Sequence, residues 1–164
     1  MFSDLGALSP LDGRYYSSAK ELNAYFSEAA LMQYRIYVEV EYLLALAKQK
    51  EIRKRLLIDD KEQSKLRKLY QSFDLNAAKE IKEIEKKINH DVKAVEYYIQ
   101  DKTRSSLHPW IHFALTSEDV NNISYSLMWK HALEKVYLPS ALSLQRKLLD
   151  LIREHRKSPM LSLT

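Results

Sequence analysis

The chain has 164 residues, no cysteine and only two glycines, Gly6 and Gly13, and its 26 Lys and Arg against 22 Asp and Glu give a formal charge of +4. Without cysteine there is no disulfide or thiolate metal site, and without later glycines no Gly-rich phosphate cradle. Charges of both signs are interleaved, as on a solvated helix surface rather than a nucleic-acid footprint, and no apolar run approaches the ~18 residues of a membrane span.

Four scattered prolines, few other breakers and abundant Leu, Lys, Glu and Ala predict an all-α chain. Residues 8–15, Leu-Ser-Pro-Leu-Asp-Gly-Arg-Tyr, carry turn chemistry. Asp12 can bond its own backbone, Gly13 can take positive φ, and the turn presents Arg14 and Tyr15 outward. The Arg fork suits a phosphate or carboxylate, and Tyr adds a hydroxyl and a flat apolar face. The plainer reading is an N-terminal strap whose Arg pairs with a surface acid.

Residues 17–26 predict a short helix, and Ser27-Glu28 opens a longer one to about Lys50. Its apolar positions include Leu31, Tyr34, Val38, Tyr42, Leu43 and Ala45, with Arg35, Glu39 and Glu41 interspersed, and it reads as scaffold. The heavily charged stretch after Glu51 contains Asp59-Asp60, an N-cap for a helix running towards Phe73. From about Asn76 to Ile88, Ala77, Ile81, Ile84 and Ile88 repeat at helical spacing.

That repeat ends at Asn89-His90-Asp91, where Asp91 is the expected N-cap of a helix containing Val92, Val95 and Tyr98. His90 at such a junction is open to solvent or ligand. A polar loop through Ser106 leads to His108-Pro109 and the apolar run Trp110 to Leu115, on which His112 reads as a satisfied core histidine. Thr116 followed by Asp119 is a variant capping box. It clusters Thr116, Ser117, Asn121 and Asn122 at a helix mouth, where amides and dipole favour an anion. The helix from Glu118 runs to about Arg156, with Pro139 kinking or interrupting it. A helix of that length without a matching partner predicts a bundle completed by other helices. The last residues, Ser158 to Thr164, form an apolar tail that reads as cut rather than finished.

Three of these stretches resemble the bacterial adenylosuccinate lyases of the fumarase/aspartase superfamily: residues 8–15, Asn89-His90-Asp91-Val92-Lys93-Ala94-Val95-Glu96-Tyr97, and residues 110–122. The Asn-His-Asp-Val-Lys-Ala-Val-Glu-Tyr run is specific to that family among its relatives, and Thr-Ser-Glu-Asp is shared more widely. The resemblance implies an all-α N-terminal domain, residues 1–113, followed at 114–164 by the first long helix of a central bundle. It implies a carbon–nitrogen lyase of purine biosynthesis that cleaves adenylosuccinate to AMP and fumarate, and SAICAR to AICAR and fumarate. No cofactor and no metal is implied.

Among the residues, Arg14 and Tyr15 are implied to hold the nucleotide end, with Arg14 facing phosphate. Asn89, His90 and Asp91 would line the site, His90 helping to orient or protonate substrate. Thr116 and Ser117 would bind a succinyl carboxylate, and His112 falls where the family also keeps a histidine. The family is a cytoplasmic homotetramer whose sites are each built from three subunits. The family's Thr-His-Gly-Gln motif, with the general acid, would begin at Thr164, and its loop with the serine general base has no counterpart here. The chain is therefore expected to be an N-terminal fragment, inactive alone. The alternative is a non-catalytic helical module for binding or assembly, derived from the same superfamily; a basic nucleic-acid binder has only the charge behind it.

Overall fold

A computed structural model describes residues 8–159 and residue 161. The protein is all-α, with no strand among the described residues. Three short helical turns, Tyr16–Ala19, Lys20–Leu22 and Asn23–Phe26, lead into six longer helices. These are α1 Glu28–Leu46, α2 Asp60–Gln71, α3 Leu75–Ile88, α4 Asp91–Asp101, α5 Ser117–Ala132 and α6 Leu138–His155. None is long and apolar enough to cross a membrane.

Helix α1 is the spine, and its sequence explains why. Ser27 caps it, its Oγ accepting the Ala30 amide at 3.1 Å. Met32, Ile36, Val40 and Leu43 form one apolar stripe, and Val38 faces elsewhere, so most of the circumference is covered. It packs against α2, α3, α4 and α5. The main core joins that stripe to Leu66 of α2, Ile81 of α3, and Val95 and Ile99 of α4, with Leu107 and Ile111 closing one end. A second, smaller cluster joins Val38, Val92 and Val120. That cluster brings the starts of α4 and α5 to the same side of α1.

Capping sets the element boundaries. Asp59 accepts from the Glu62 amide at 2.7 Å and opens α2, and Asp74 accepts from Asn76 and Ala77 and opens α3 one residue earlier than the repeat predicts. Helix α1 ends at Leu46 rather than Lys50, and α2 ends at Gln71, short of Phe73. The expected loop through Ser106 already contains a 3-10 helix, Ser105–Trp110, with Pro109 inside.

Pro139 does not interrupt the long helix. A π turn, Leu133–Tyr137, sits just before it, between α5 and α6. Proline lacks the N–H for Lys135 and its ring crowds that carbonyl, and the wider turn accommodates both defects. Helix α6 buries none of its residues; Leu142, Leu144, Leu148, Leu149 and Ile152 are exposed. Of the expected apolar tail, Met160 and residues 162–164 lie outside the described residues.

Candidate functional site

One ridge of α1 carries polar groups into the interior at helical spacing: Arg35, Glu39 and Tyr42. Arg35 and Glu39 are both buried, at 5% and 2% exposure. The Arg35 fork donates from Nη2 to Asp91 Oδ2 at 2.6 Å and from Nε to Asn121 Oδ1 at 2.9 Å. A single guanidinium thus ties the start of α4 to the first turns of α5. One turn along, both oxygens of Glu39 engage His112: Oε2 accepts its backbone N–H at 3.2 Å, and Oε1 lies 2.5 Å from ring Nδ1. Tyr42 then donates to the Phe113 carbonyl at 3.0 Å.

Burial pushes the Glu39 carboxyl up, against the opposing pull of the His112 ring and amide, with nearby Glu96 adding to the rise. Asp91 is held below the usual carboxylate range. Burial raises it, and the Val92 amide and the Arg35 guanidinium more than offset that.

The Asn89-His90-Asp91 junction forms as a sharp turn. Asn89 takes the left-handed conformation that closes α3, with φ 53°, a position asparagine tolerates better than most residues. The N-cap of α4 is His90, not Asp91: His90 Nδ1 accepts the Lys93 amide at 3.2 Å. Asp91 is instead the first helical residue, where its carboxylate favours the dipole and reaches Arg35. Because Nδ1 of His90 is an acceptor, the neutral ring carries its proton on Nε2. Asn89 and His90 are exposed, and the Asp91 side chain is half exposed.

His112 is not a core histidine. It lies partly exposed on the bend between the 3-10 helix and α5, at φ 60°, and Ala114 follows at φ 57°. A Cβ in the left-handed region costs roughly 1–2 kcal/mol, so two such residues close together need outside support. Glu39 and Tyr42 supply hydrogen bonds to this bend.

The mouth of α5 is a full capping box. Thr116 Oγ1 accepts the Asp119 amide at 3.4 Å and donates to Asp119 Oδ2 at 2.8 Å, and Asp119 Oδ2 accepts the Thr116 amide at 2.7 Å. Those two bonds from Thr116 hold the Asp119 carboxyl below its ordinary range, against a smaller rise from burial. The Thr116 hydroxyl is therefore already engaged, and Ser117 is the freer hydroxyl at this mouth. Asn121 is taken up by Arg35 and Glu118. Thr116→Ala is expected to lower stability by about 1 kcal/mol, read as a lower urea midpoint, with Thr116→Ser close to wild type.

Arg14 and Tyr15 belong to a local turn. The amides of Asp12 and Gly13 donate to the Ser9 carbonyl at 3.1 and 3.2 Å, and that of Tyr15 to the Pro10 carbonyl at 2.9 Å. Ser9 Oγ, not Asp12, supplies the side-chain bond, accepting the Leu11 amide at 3.0 Å. Gly13 is buried and has no positive φ, so its small size rather than its backbone freedom is what the turn uses. The Arg14 guanidinium lies over the Tyr15 ring at 4.7 Å, and both side chains are exposed. Among the described residues, no hydrogen bond joins them to Asn89, His90, Asp91, Thr116 or Ser117. The structure thus gathers Asp91, Asn121, His112 and Thr116 around one side of α1, with neither Arg14 nor Tyr15 hydrogen-bonded to them among the described residues.

Sequence reasoning missed Arg35 and Glu39, taking them as scaffold. Their signal was a pair of opposite charges four residues apart inside an otherwise apolar pattern.

Residues 13–164 match the family described as lyase. The chain is 42% identical over 165 residues to an adenylosuccinate lyase of Legionella pneumophila, a match covering 98% of this chain and 36% of that protein. An adenylosuccinate lyase of Escherichia coli K12 is 41% identical, over 99% of this chain and 37% of the relative. One of Dictyostelium discoideum is 39% identical, over 99% and 36%. The chain therefore spans a little over a third of the length of the curated relatives it matches.

Proposed function

This chain belongs to the lyase family, and on that premise we propose that it supplies part of an adenylosuccinate lyase, including its nucleotide- and carboxylate-binding residues. The reaction is the elimination of fumarate from adenylosuccinate, giving AMP, and from SAICAR, giving AICAR, in purine biosynthesis. A C–N bond breaks as a proton leaves the carbon beta to the departing nitrogen, and that nitrogen is protonated. Two positioned groups are needed for those transfers.

The observation that carries this reading is the Arg35 bridge. It joins the two sequence runs that resemble the family's binding motifs, through Asp91 and Asn121, onto one buried guanidinium. Around that bridge, Ser117 and the first-turn amides of α5 offer donors to a succinyl carboxylate, with Thr116 contributing once its box opens. His90 offers an Nε2–H donor to substrate, and Asn89 and Asp91 line the same edge. Arg14 and Tyr15 take the nucleotide phosphate and its surroundings. Among the described residues no hydrogen bond joins them to the other groups, which is compatible with a site assembled from several subunits of a cytoplasmic homotetramer. The exposed leucine face of α6 would be covered by further bundle helices, and the division between N-terminal domain and bundle falls at residues 113 and 114.

The test is a chimera. Residues 1–164 are joined to the portion of the Legionella pneumophila enzyme beyond its matched region, and fumarate release from adenylosuccinate is followed by absorbance. The chimera is expected to turn over, and the 164-residue chain alone is expected to give no rate above a blank. A helical, assembled chimera without turnover would favour the non-catalytic module instead. Turnover by the isolated chain would place the proton-transfer groups within it, contrary to this reading.

A further inference from the structure

Both carboxylate oxygens of Glu39 are committed to a single residue, His112, through its backbone N–H at 3.2 Å and its ring Nδ1 at 2.5 Å. The Glu39 side chain is 1% exposed and the His112 side chain 19% exposed, so one partner is sealed in the interior and the other reaches the surface. An ionised carboxylate only accepts hydrogen bonds, so Nδ1 must carry the proton. The lone pair then lies on Nε2, across the ring from the buried acid. The backbone at His112 is itself held in the left-handed region, and the second Glu39 contact lands on that same strained residue. One side chain thus restrains both the main chain and the ring.

We propose that Glu39 is a positioning residue that locks His112 in its Nδ1–H form and so presents Nε2 as a hydrogen-bond acceptor beside the mouth of α5. The inference rests on reading that mouth as the substrate end of the site. The ligand group that such an edge recognises is an N–H or O–H donor, not an anion. His90 is the complement: its Nδ1 accepts the Lys93 amide, leaving Nε2–H as a donor. The two histidines therefore offer opposite edges, one donating and one accepting. A substrate with a carboxylate and an amine or hydroxyl can be oriented by that difference. Glu39 touches no substrate itself and acts only through His112.

The experiment is a long-range proton–nitrogen correlation spectrum of the nitrogen-15-labelled 164-residue chain, taken at about pH 8 and repeated at higher pH until the ring signals no longer change. The expected signature is a protonated Nδ1 and a bare Nε2 for His112, with the reverse for His90. A His112 ring predominantly protonated at Nε2 would overturn the proposal without any mutation. Glu39→Gln then replaces one acceptor oxygen with an NH2 group. Its remaining oxygen can take the His112 amide while the NH2 donates to Nδ1, so the ring should switch to the Nε2–H form, a change of tenfold or more in tautomer ratio. A folded variant, judged by circular dichroism, that keeps the wild-type tautomer would also overturn it. If Glu39→Gln does not fold, the wild-type spectrum decides alone. An inactive chimera would count against the proposed function and leave this spectrum unchanged, so the two failures are distinguishable.

Discussion

Replacing Asp91 with alanine is expected to remove about 3 kcal/mol from the stability of the chain, and replacing Arg35 with leucine only about 1 kcal/mol. The asymmetry follows from burial. The Arg35 side chain is 6% exposed and that of Asp91 51%. Without Asp91, a charge deep against α1 keeps only the Asn121 amide oxygen, a neutral acceptor, and water cannot reach it freely. Without Arg35, the Asp91 carboxylate turns to solvent and to the start of α4, where the dipole welcomes it. Leucine meanwhile fills much of the vacated apolar volume. Urea unfolding followed by circular dichroism measures both. The ordering would be refuted by an Arg35→Leu chain less stable than Asp91→Ala.

The same pair carries a pH signature whose sign can be worked out. The folded Asp91 carboxyl lies below its unfolded value of ~3.9, so its contribution is present above that value. It is lost as pH falls through the folded value. Glu41, lowered mainly by Arg67, and Asp119, lowered by Thr116, act in the same direction. Glu39 acts oppositely, because its burial raises the carboxyl and favours the folded state when protonated. The share belonging to Asp91 is isolated by comparing wild type with Asp91→Asn across about pH 5 to 3: the steeper wild-type loss on acidification should flatten in the variant.

Local patterns made the helices and their caps readable, because caps and amphipathic faces are decided within four residues. Thr116 and Asp119 predicted the box that opens α5, and the 3.6-residue repeats predicted α1, α3 and α4. The pairing of Arg35 with Asp91 and Asn121, and of Glu39 with His112, spans 56, 86 and 73 residues. No local rule distinguishes a buried charge with a distant partner from a solvated one. The cap of α4 was misassigned for a related reason: Asp is the commoner N-cap, but here Arg35 engages the Asp91 carboxylate while His90 Nδ1 meets the Lys93 amide. The π turn ahead of Pro139 was also invisible, since proline announces a defect in the helix without saying how the backbone absorbs it.

In the active chimera, Arg14→Ala is expected to lower kcat/KM for adenylosuccinate by roughly ten- to a hundredfold. The guanidinium is held up by the turn that buries Gly13 and stacked on Tyr15 at 4.7 Å, exposed and without an acid partner among the described contacts. Such an arrangement leaves the fork open to a phosphate dianion, and charge-assisted bonds of that kind are worth ~1.5–3 kcal/mol, which sets the expected factor. Arg14→Lys retains the charge, loses the two-point geometry and the flat stacking on Tyr15, and should fall between alanine and wild type. The phosphate is remote from the bond that breaks, so most of the loss should appear in KM. A loss mainly in kcat would mean that phosphate binding is used to position the succinyl end at the mouth of α5. The stability of the chain should hardly change, because no tertiary hydrogen bond or ion pair among the described residues is removed. If Arg14→Ala leaves kcat/KM unaltered in a folded chimera, Arg14 is a strap residue and the nucleotide end lies elsewhere.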